Sequence, residues 1–408
     1  MLDLLAKHQE QIQQVAQYEL NVPSPQASGE ATTPAASAAV ENPFSAVARE
    51  RNAAQGLVSA SSSIVPSSDK GGIPLPPDMM PRASLQDRMD ILRELDGNES
   101  LDISPEFLNR PQATYYATIP AIADTPASRR FDSAHLRDLR KSLDSPHSSQ
   151  RDVDAIATLF MGNIVELASD YIGNTLVQKF FEQGSEEIKL MLLERLAPFL
   201  AMIGVHKNGT WAAQKIIDCA RGPQQLGLIV QHLRPYIPPL LLDQFGNYVV
   251  QCLLPYGPPA SDCIFDAMLD RTWEIAQGRF GARSIRACLE NSKVTRDQQR
   301  QVALAIILNA VPLATSPNGA LLLTWLLDTS NFAGRYKLLA PRFAPQLHHL
   351  CTHKLASLTV LRVINQRADV GASRMLATAL FEGSQPVYEQ VLNDQVRSTI
   401  LSVEISRF

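Results

Sequence analysis

The chain is 408 residues long, room for two or three average domains, and carries a net charge of −4. No stretch of about 18 apolar residues occurs, which excludes a membrane-spanning helix. Cys219, Cys252, Cys263, Cys288 and Cys351 show neither CxxC nor Cys/His ligand spacing, which reads as reduced core residues in a reducing compartment, with no metal site and no cofactor.

In chain order, residues 1–20 form an amphipathic helical pattern with Asp3, Glu10 and Glu19. It lacks both the unbroken apolar core of a signal peptide and the Arg-rich character of a transit peptide, so it reads as a short interaction or coiled-coil segment. Residues 21–127 are rich in Pro, Ser, Ala and Thr, with runs such as Ala31-Thr32-Thr33-Pro34 and Ser61-Ser62-Ser63. Such a composition buries too little apolar surface to offset ordering entropy, so a disordered arm is expected, with helical spacing only from Leu85 to Leu95. Residues 128–150 place Leu136, Leu139 and Leu143 on one helical face and read as an N-terminal cap.

From residue 151 to 383 one pattern returns at nearly constant spacing: a small anchor residue followed by six or seven helical positions. The anchors are Gly173, Gly209, Gly246, Gly281, Gly319 and Ala356, at intervals of 36, 37, 35, 38 and 37 residues. Each anchored helix is followed by a second apolar-periodic segment, as in Ile188, Met191, Leu192 and Leu196, and turn-formers such as Gly222-Pro223 punctuate the joins. One unit has too little apolar surface to stand alone, so about six must stack into an all-α solenoid with a continuous core. Residues 384–408 read as a degenerate or truncated seventh unit, with Arg397 where the small anchor belongs.

Charge follows this division. Residues 151 to 380 hold 22 Lys plus Arg against 18 Asp plus Glu, and the remainder holds 15 against 23. Any nucleic-acid partner is therefore expected to be gripped by its bases more than by its phosphates.

In each anchored helix the first and fifth residues after the anchor share a face, and the second lies about 100° around from the first. In the third unit these are Asn247, Gln251 and Tyr248. Two amides match the hydrogen-bonding edge of one base, and the neighbouring aromatic offers a surface on which it can stack. Val249 and Val250 turn the opposite way, into the core.

This pattern resembles that of the Pumilio, or PUF, family, whose units of about 36 residues each read one RNA base with two or three side chains. The resemblance covers about residues 129 to 381. Val205-His206-Lys207-Asn208-Gly209-Thr210-Trp211 and Gly278-Arg279-Phe280-Gly281-Ala282-Arg283-Ser284 look closest to a fungal branch. Members of that branch often carry an RNA-recognition motif upstream, of which this sequence shows no signature. The resemblance implies a curved, right-handed solenoid that binds single-stranded RNA.

Carried over residue by residue, the resemblance makes Asn247, Tyr248 and Gln251 a uracil reader. Asn174 and Gln178 form a uracil-type edge pair with Thr175 in the stacking place. Thr210 and Gln214 beside Trp211 fit adenine or uracil. Arg283 is a stacking guanidinium flanked by Ala282 and Arg286, whose base stays open; Arg286 suits a purine edge or a phosphate. The fifth and sixth units, with Ala320, Leu321, Thr324 and with Ser357, Leu358, Leu361, have lost most polar readers. The RNA runs antiparallel in this family, so the implied core is, 5′ to 3′, an open base, U, A or U, then U.

His206 and His353, at matching places before two anchors, read as solvent-facing or capping residues. No HExxH, Walker loop, GxSxG or nucleophile–base constellation is present, so an enzyme is not expected. The leading expectation is a cytoplasmic regulator of mRNA that binds a U/A-rich element of untranslated regions, with protein partners recruited through the arm or the convex face. The alternative is a protein-binding α-solenoid of armadillo or HEAT character. A ribosome-assembly factor built of similar repeats would call for a strongly basic chain, against a pI near 6.1.

Overall fold

A computed structural model describes residues 83–97, 113–122 and 131–381, all within one compact unit of the chain. The helix expected over residues 1–20, most of the arm, and the seventh unit lie outside the described residues. Among the described residues there is no β-strand.

Six units follow one another, each with a short leading helix, a middle helix that begins within two residues of the anchor, and an outer helix. Ahead of them stand α1 (Leu85–Asp96), α2 (Ser133–Leu143) and α3 (Gln150–Leu159). Unit one is α4 (Ile164–Ser169), α5 (Gly173–Gln183) and α6 (Glu186–Leu196), and unit two is α7 (Leu200–Gly204), α8 (Gly209–Asp218) and α9 (Gly222–Leu233). Unit three is α10 (Ile237–Leu242), α11 (Gly246–Gln251) and α12 (Asp262–Asp270), and unit four is α13 (Thr272–Gln277), α14 (Arg279–Leu289) and α15 (Arg296–Leu308). Unit five is α16 (Ala310–Thr315), α17 (Ala320–Thr324, continued by a π-turn over Trp325–Thr329) and α18 (Arg335–Phe343). Unit six is α19 (Leu347–Thr352), α20 (Ala356–Asn365) and α21 (Val370–Phe381).

Sequence periodicity showed two of the three helices in each unit. The leading helices escape it because five or six residues make too few turns to display a period. Proline helps to set them apart: Pro198, Pro235 and Pro345 fall in 3-10 turns just after α6, α9 and α18, where a missing N–H stops the outer helix.

The middle helices α2, α5, α8, α11, α14, α17 and α20 pack side by side as one continuous layer. Each turns a stripe into the core, for example Leu176, Val177 and Phe180, then Ala212, Ala213 and Ile216, then Val249 and Val250, all fully buried. At the start of the layer α2 stands beside α5 in the position of a preceding middle helix and α3 lies against α5 and α6, so the pair covers the core edge that unit one would otherwise expose.

The arm is not wholly without packing, which corrects the expectation for two of its stretches. Ser84 and Asp87 form a capping box at the start of α1, and Gly97 closes its end in the left-handed conformation at φ 66°. Ile91, Leu92 and Leu95 bury one face of α1 against α15 and α18. Its C-terminal end is tied down by charge: Asp96 accepts from Arg300 Nε at 2.6 Å and Glu94 pairs with Lys337 at 2.7 Å. Gly334 donates its N–H to the Leu95 carbonyl at 3.0 Å, and a Cβ there would lie 2.0 Å from the Glu94 carbonyl oxygen, so only glycine fits. Further along, Tyr115 is buried and its hydroxyl donates to Asp270 at 3.1 Å. The Tyr116 N–H donates to the Pro235 carbonyl at 2.9 Å, and its ring meets Tyr236 at 4.8 Å. The segment before the repeats thus straps the outer helices, touching units four and five first and units two and three next.

Candidate nucleic-acid interface

The middle helices of every unit but the fourth start on one plan. The residue three before the anchor accepts the main-chain N–H groups that the first helical turn leaves unpaired. Asp170 Oδ1 accepts from Ile172 and Gly173 at 2.8 and 2.7 Å, and Asp243 Oδ1 accepts from Phe245 and Gly246 at 2.8 Å each. Imidazole nitrogens do the same work elsewhere: His206 Nδ1 accepts from Asn208 and Gly209 at 3.3 and 3.2 Å, and His353 Nδ1 from Leu355 and Ala356 at 3.3 Å each. Ser316 caps Gly319 at 3.1 Å in unit five, and Gly278 holds the place in unit four. The capping alternative for the two histidines is therefore the one the structure selects. The anchors are small because the leading helix passes directly against them; a Cβ on Gly281 would lie 2.0 Å from the Ile275 carbonyl oxygen.

Burial, reinforced by the charge of Lys207, holds the His206 imidazole below its usual 6.5. A lowered folded-state value means the unfolded chain binds the proton more readily. This part of the stability is complete above about pH 6.5 and is lost as pH falls through the lowered value. His206→Asp, which installs the acceptor of units one and three, is expected to keep the cap and remove that acid-side loss. His206→Ala is expected to cost about 1 kcal/mol at neutral pH. Thermal melts between about pH 5 and pH 8 check both.

Just past the caps lie the residues singled out by sequence. Asn174, Thr210 and Asn247 are buried. The Asn247 amide nitrogen donates to the Asp243 and Gln244 carbonyls at 2.9 and 3.0 Å, and its Oδ1 accepts from Gln251 Nε2 at 3.1 Å. Asn174 repeats this with the Asp170 and Tyr171 carbonyls, both at 2.9 Å, and with Gln178 at 3.0 Å. In unit two Gln214 donates to the Thr210 hydroxyl at 3.1 Å. The two positions expected to share a base edge are thus unequal: the first braces the helix start, and the half-buried glutamine it orients faces outward.

Trp211 and Tyr248 are each 36% exposed, and Arg283 is exposed on the next middle helix. Because α8, α11 and α14 are neighbours in the layer, the three offer consecutive flat surfaces. Thr175 offers none; its hydroxyl donates to the Ile172 carbonyl at 2.7 Å. In unit four Ala282 is buried and Arg286 pairs with Glu290 at 2.9 Å on its own helix. Both residues lie at the surface, where such a pair is worth little, so the guanidinium is easily released.

In unit five the Thr324 hydroxyl donates to the Ala320 carbonyl at 3.0 Å and accepts from Arg362 of unit six at 3.2 Å, while Ala320 and Leu321 are half-buried. Ser357 is buried, Leu361 half-buried, and Leu358 stands 60% exposed with no polar group. One residue that periodicity did not single out is Tyr171, 69% exposed just before the unit-one anchor. Its signal was available as an aromatic in a turn, two residues ahead of the anchor.

Further down the middle helices, cations and carboxylates of successive units form a ladder. Lys179 pairs with Asp144 at 2.9 Å, Lys215 with Glu182 at 2.8 Å, and Arg362 with Asp328 at 3.1 Å. Burial drives the Cys263 and Cys288 thiols up to about 12, consistent with inert core residues. Cys219 and Cys252 are half-buried and pack against the core from its margin. No helix among the described residues is long and apolar enough to cross a membrane.

A solenoid of three-helix units, in which one layer of middle helices presents aromatic and guanidinium surfaces beside oriented amides, defines an α-helical repeat protein. A family model described as the Pumilio-family RNA binding repeat matches residues 163–197, 201–233 and 236–267, which coincide with units one to three. A Pumilio domain-containing protein of Schizosaccharomyces pombe is 47% identical over 320 residues, 76% of this chain and 48% of that protein. Protein JSN1 of Saccharomyces cerevisiae is 40% identical over 75% of this chain and 29% of its own length. The mRNA-binding protein PUF2 of the same yeast is 39% identical over 70% and 27%. The crystal structure of the PUM-HD domain of S. pombe Puf1 in complex with RNA is 43% identical, with a TM-score of 0.69, covering 78% of this chain and 84% of that one. The chain belongs to the Pumilio family of repeat proteins. It spans less than half the length of these curated relatives.

Proposed function

We propose that the middle-helix layer binds single-stranded RNA sequence-specifically, through a short U/A-rich element, and that the protein is a cytoplasmic regulator of mRNA stability, translation or localisation. The observation that carries this is the succession Trp211, Tyr248, Arg283: three exposed stacking surfaces on adjacent helices, two of them beside an oriented glutamine. Bases slotted between such surfaces gain about 1–3 kcal/mol each, and the glutamines select among them. Gln251 and Gln178, each held by an asparagine, are the uracil readers; Gln214 over Thr210 reads adenine or uracil. That one S. cerevisiae relative bears the name mRNA-binding protein and the S. pombe Puf1 domain is described in complex with RNA supports the same reading.

The test is selection from a random RNA pool by the full 408-residue chain, since a chain begun at residue 128 would lack the strap. Enrichment of a short UA-rich motif is expected. In the fifth and sixth units the same layer presents Leu321 and Leu358, the one feature that favours a protein-binding solenoid. An unenriched pool would make that the better account and defeat this one.

A further inference from the structure

The two edges of the middle-helix layer differ in charge. Six residues after the anchors of units one, two and six, the cations Lys179, Lys215 and Arg362 are paired in the carboxylate ladder. Two residues before each anchor, at the other end of the middle helix, stand Tyr171, Lys207, Gln244, Arg279, Pro317 and Lys354, all exposed. The three cations among them belong to units two, four and six. None has a carboxylate partner among the described residues; Arg279 only leans on the Phe280 ring, 5.8 Å from its centroid.

The caps beside this edge follow the same alternation. Units one and three bring a carboxylate there, Asp170 and Asp243, with no cation. Units two, four and six bring no carboxylate there, only His206, Gly278 or His353, together with a cation. Unit five has Ser316 and Pro317, neither charged. Favourable sites for an anion therefore recur at every second unit, separated in the first half of the array by unfavourable ones.

Resting on the RNA-binding reading above, we infer that this edge is the phosphate rail of the site, and that Lys207, Arg279 and Lys354 contact backbone phosphates of the bound strand. With one base per unit, the three contacts fall two nucleotides apart. The opposite edge suits an anion less, because each of its cations already has a carboxylate beside it. Unit six, which has lost its base readers, then touches RNA through Lys354 alone and holds the strand without reading it. Phosphate contacts add affinity and salt dependence but carry no sequence information.

The experiment measures binding of the full chain to a labelled pool-selected RNA across a range of salt concentrations, for the parent and for Lys207→Gln, Arg279→Gln, Lys354→Gln and the triple variant. Each single change is expected to flatten the plot of log K against log salt by about 0.7, and the triple by about 2. The affinity ratio between the selected RNA and one with its central base exchanged should stay at the parent value. Lys293→Gln, an exposed lysine between α14 and α15, should leave the slope unchanged. A triple variant with the parent slope overturns the rail while leaving RNA binding intact, as does one that loses base preference together with affinity. A parent chain that binds no RNA overturns both readings.

Discussion

Leu95→Ala is expected to lower the stability of the repeat array by about 2–5 kcal/mol and to split its unfolding into two transitions. Leu95 is fully buried where α1 meets the outer helices of units four and five, so truncation leaves a cavity in a contact that little else can fill. The second effect follows from topology. In a solenoid each unit touches only its neighbours, and stability is close to a sum of local contributions. The strap breaks that rule, because Asp96 and Arg300 lie 204 residues apart in sequence and Glu94 and Lys337 lie 243 apart. Loosening it should let the C-terminal units unfold on their own. Gly334→Ala is the companion test: its Cβ would collide with the Glu94 carbonyl, so it should displace α1 without touching the core of the units. Hydrogen exchange over residues 85–96 and thermal melts check both variants, and a single unshifted transition in both would show that the strap contributes nothing.

The solenoid was legible in sequence because its signal is repetition, which survives the loss of any one residue. Anchor spacing alone places all six middle helices, and the burial of Val249 and Val250 opposite Tyr248 is where helical geometry puts them. The strap was not legible. Leu85 to Leu95 displays a helical period, but a period says only that one face wants cover, and the cover lies two hundred residues away. The caps were half legible: His206 matches His353 and Asp170 matches Asp243 by residue type, but the histidines, the aspartates and Ser316 share only an acceptor atom at the same place. The bracing role of the asparagines was not legible for a related reason. Spacing puts Asn247 and Gln251 on one face, but nothing in spacing shows that the asparagine nitrogen is already committed to two carbonyls.

That inequality makes the second large effect specific. Tyr248→Ala is expected to weaken binding of the selected RNA by roughly 5- to 150-fold, the equivalent of one stack at about 1–3 kcal/mol. Its effect on folding should be small, because the ring stands a third exposed on the layer rather than in the core. Asn247→Ala should do the reverse in proportion: it strips the carbonyls of Asp243 and Gln244 of a buried donor and costs the fold about 1–3 kcal/mol. It should harm base choice only indirectly, by releasing Gln251. Gln251→Ala then isolates the reading step, since it leaves both the stack and the helix start in place, and its expected signature is a preserved grip with a blurred preference at one base. Melting curves and binding isotherms on the three variants separate these outcomes. If Asn247→Ala leaves the melt untouched, the asparagine is a free reader and the division of labour drawn from its hydrogen bonds is wrong. If Tyr248→Ala binds as tightly as the parent, the stacked arrangement itself must be abandoned.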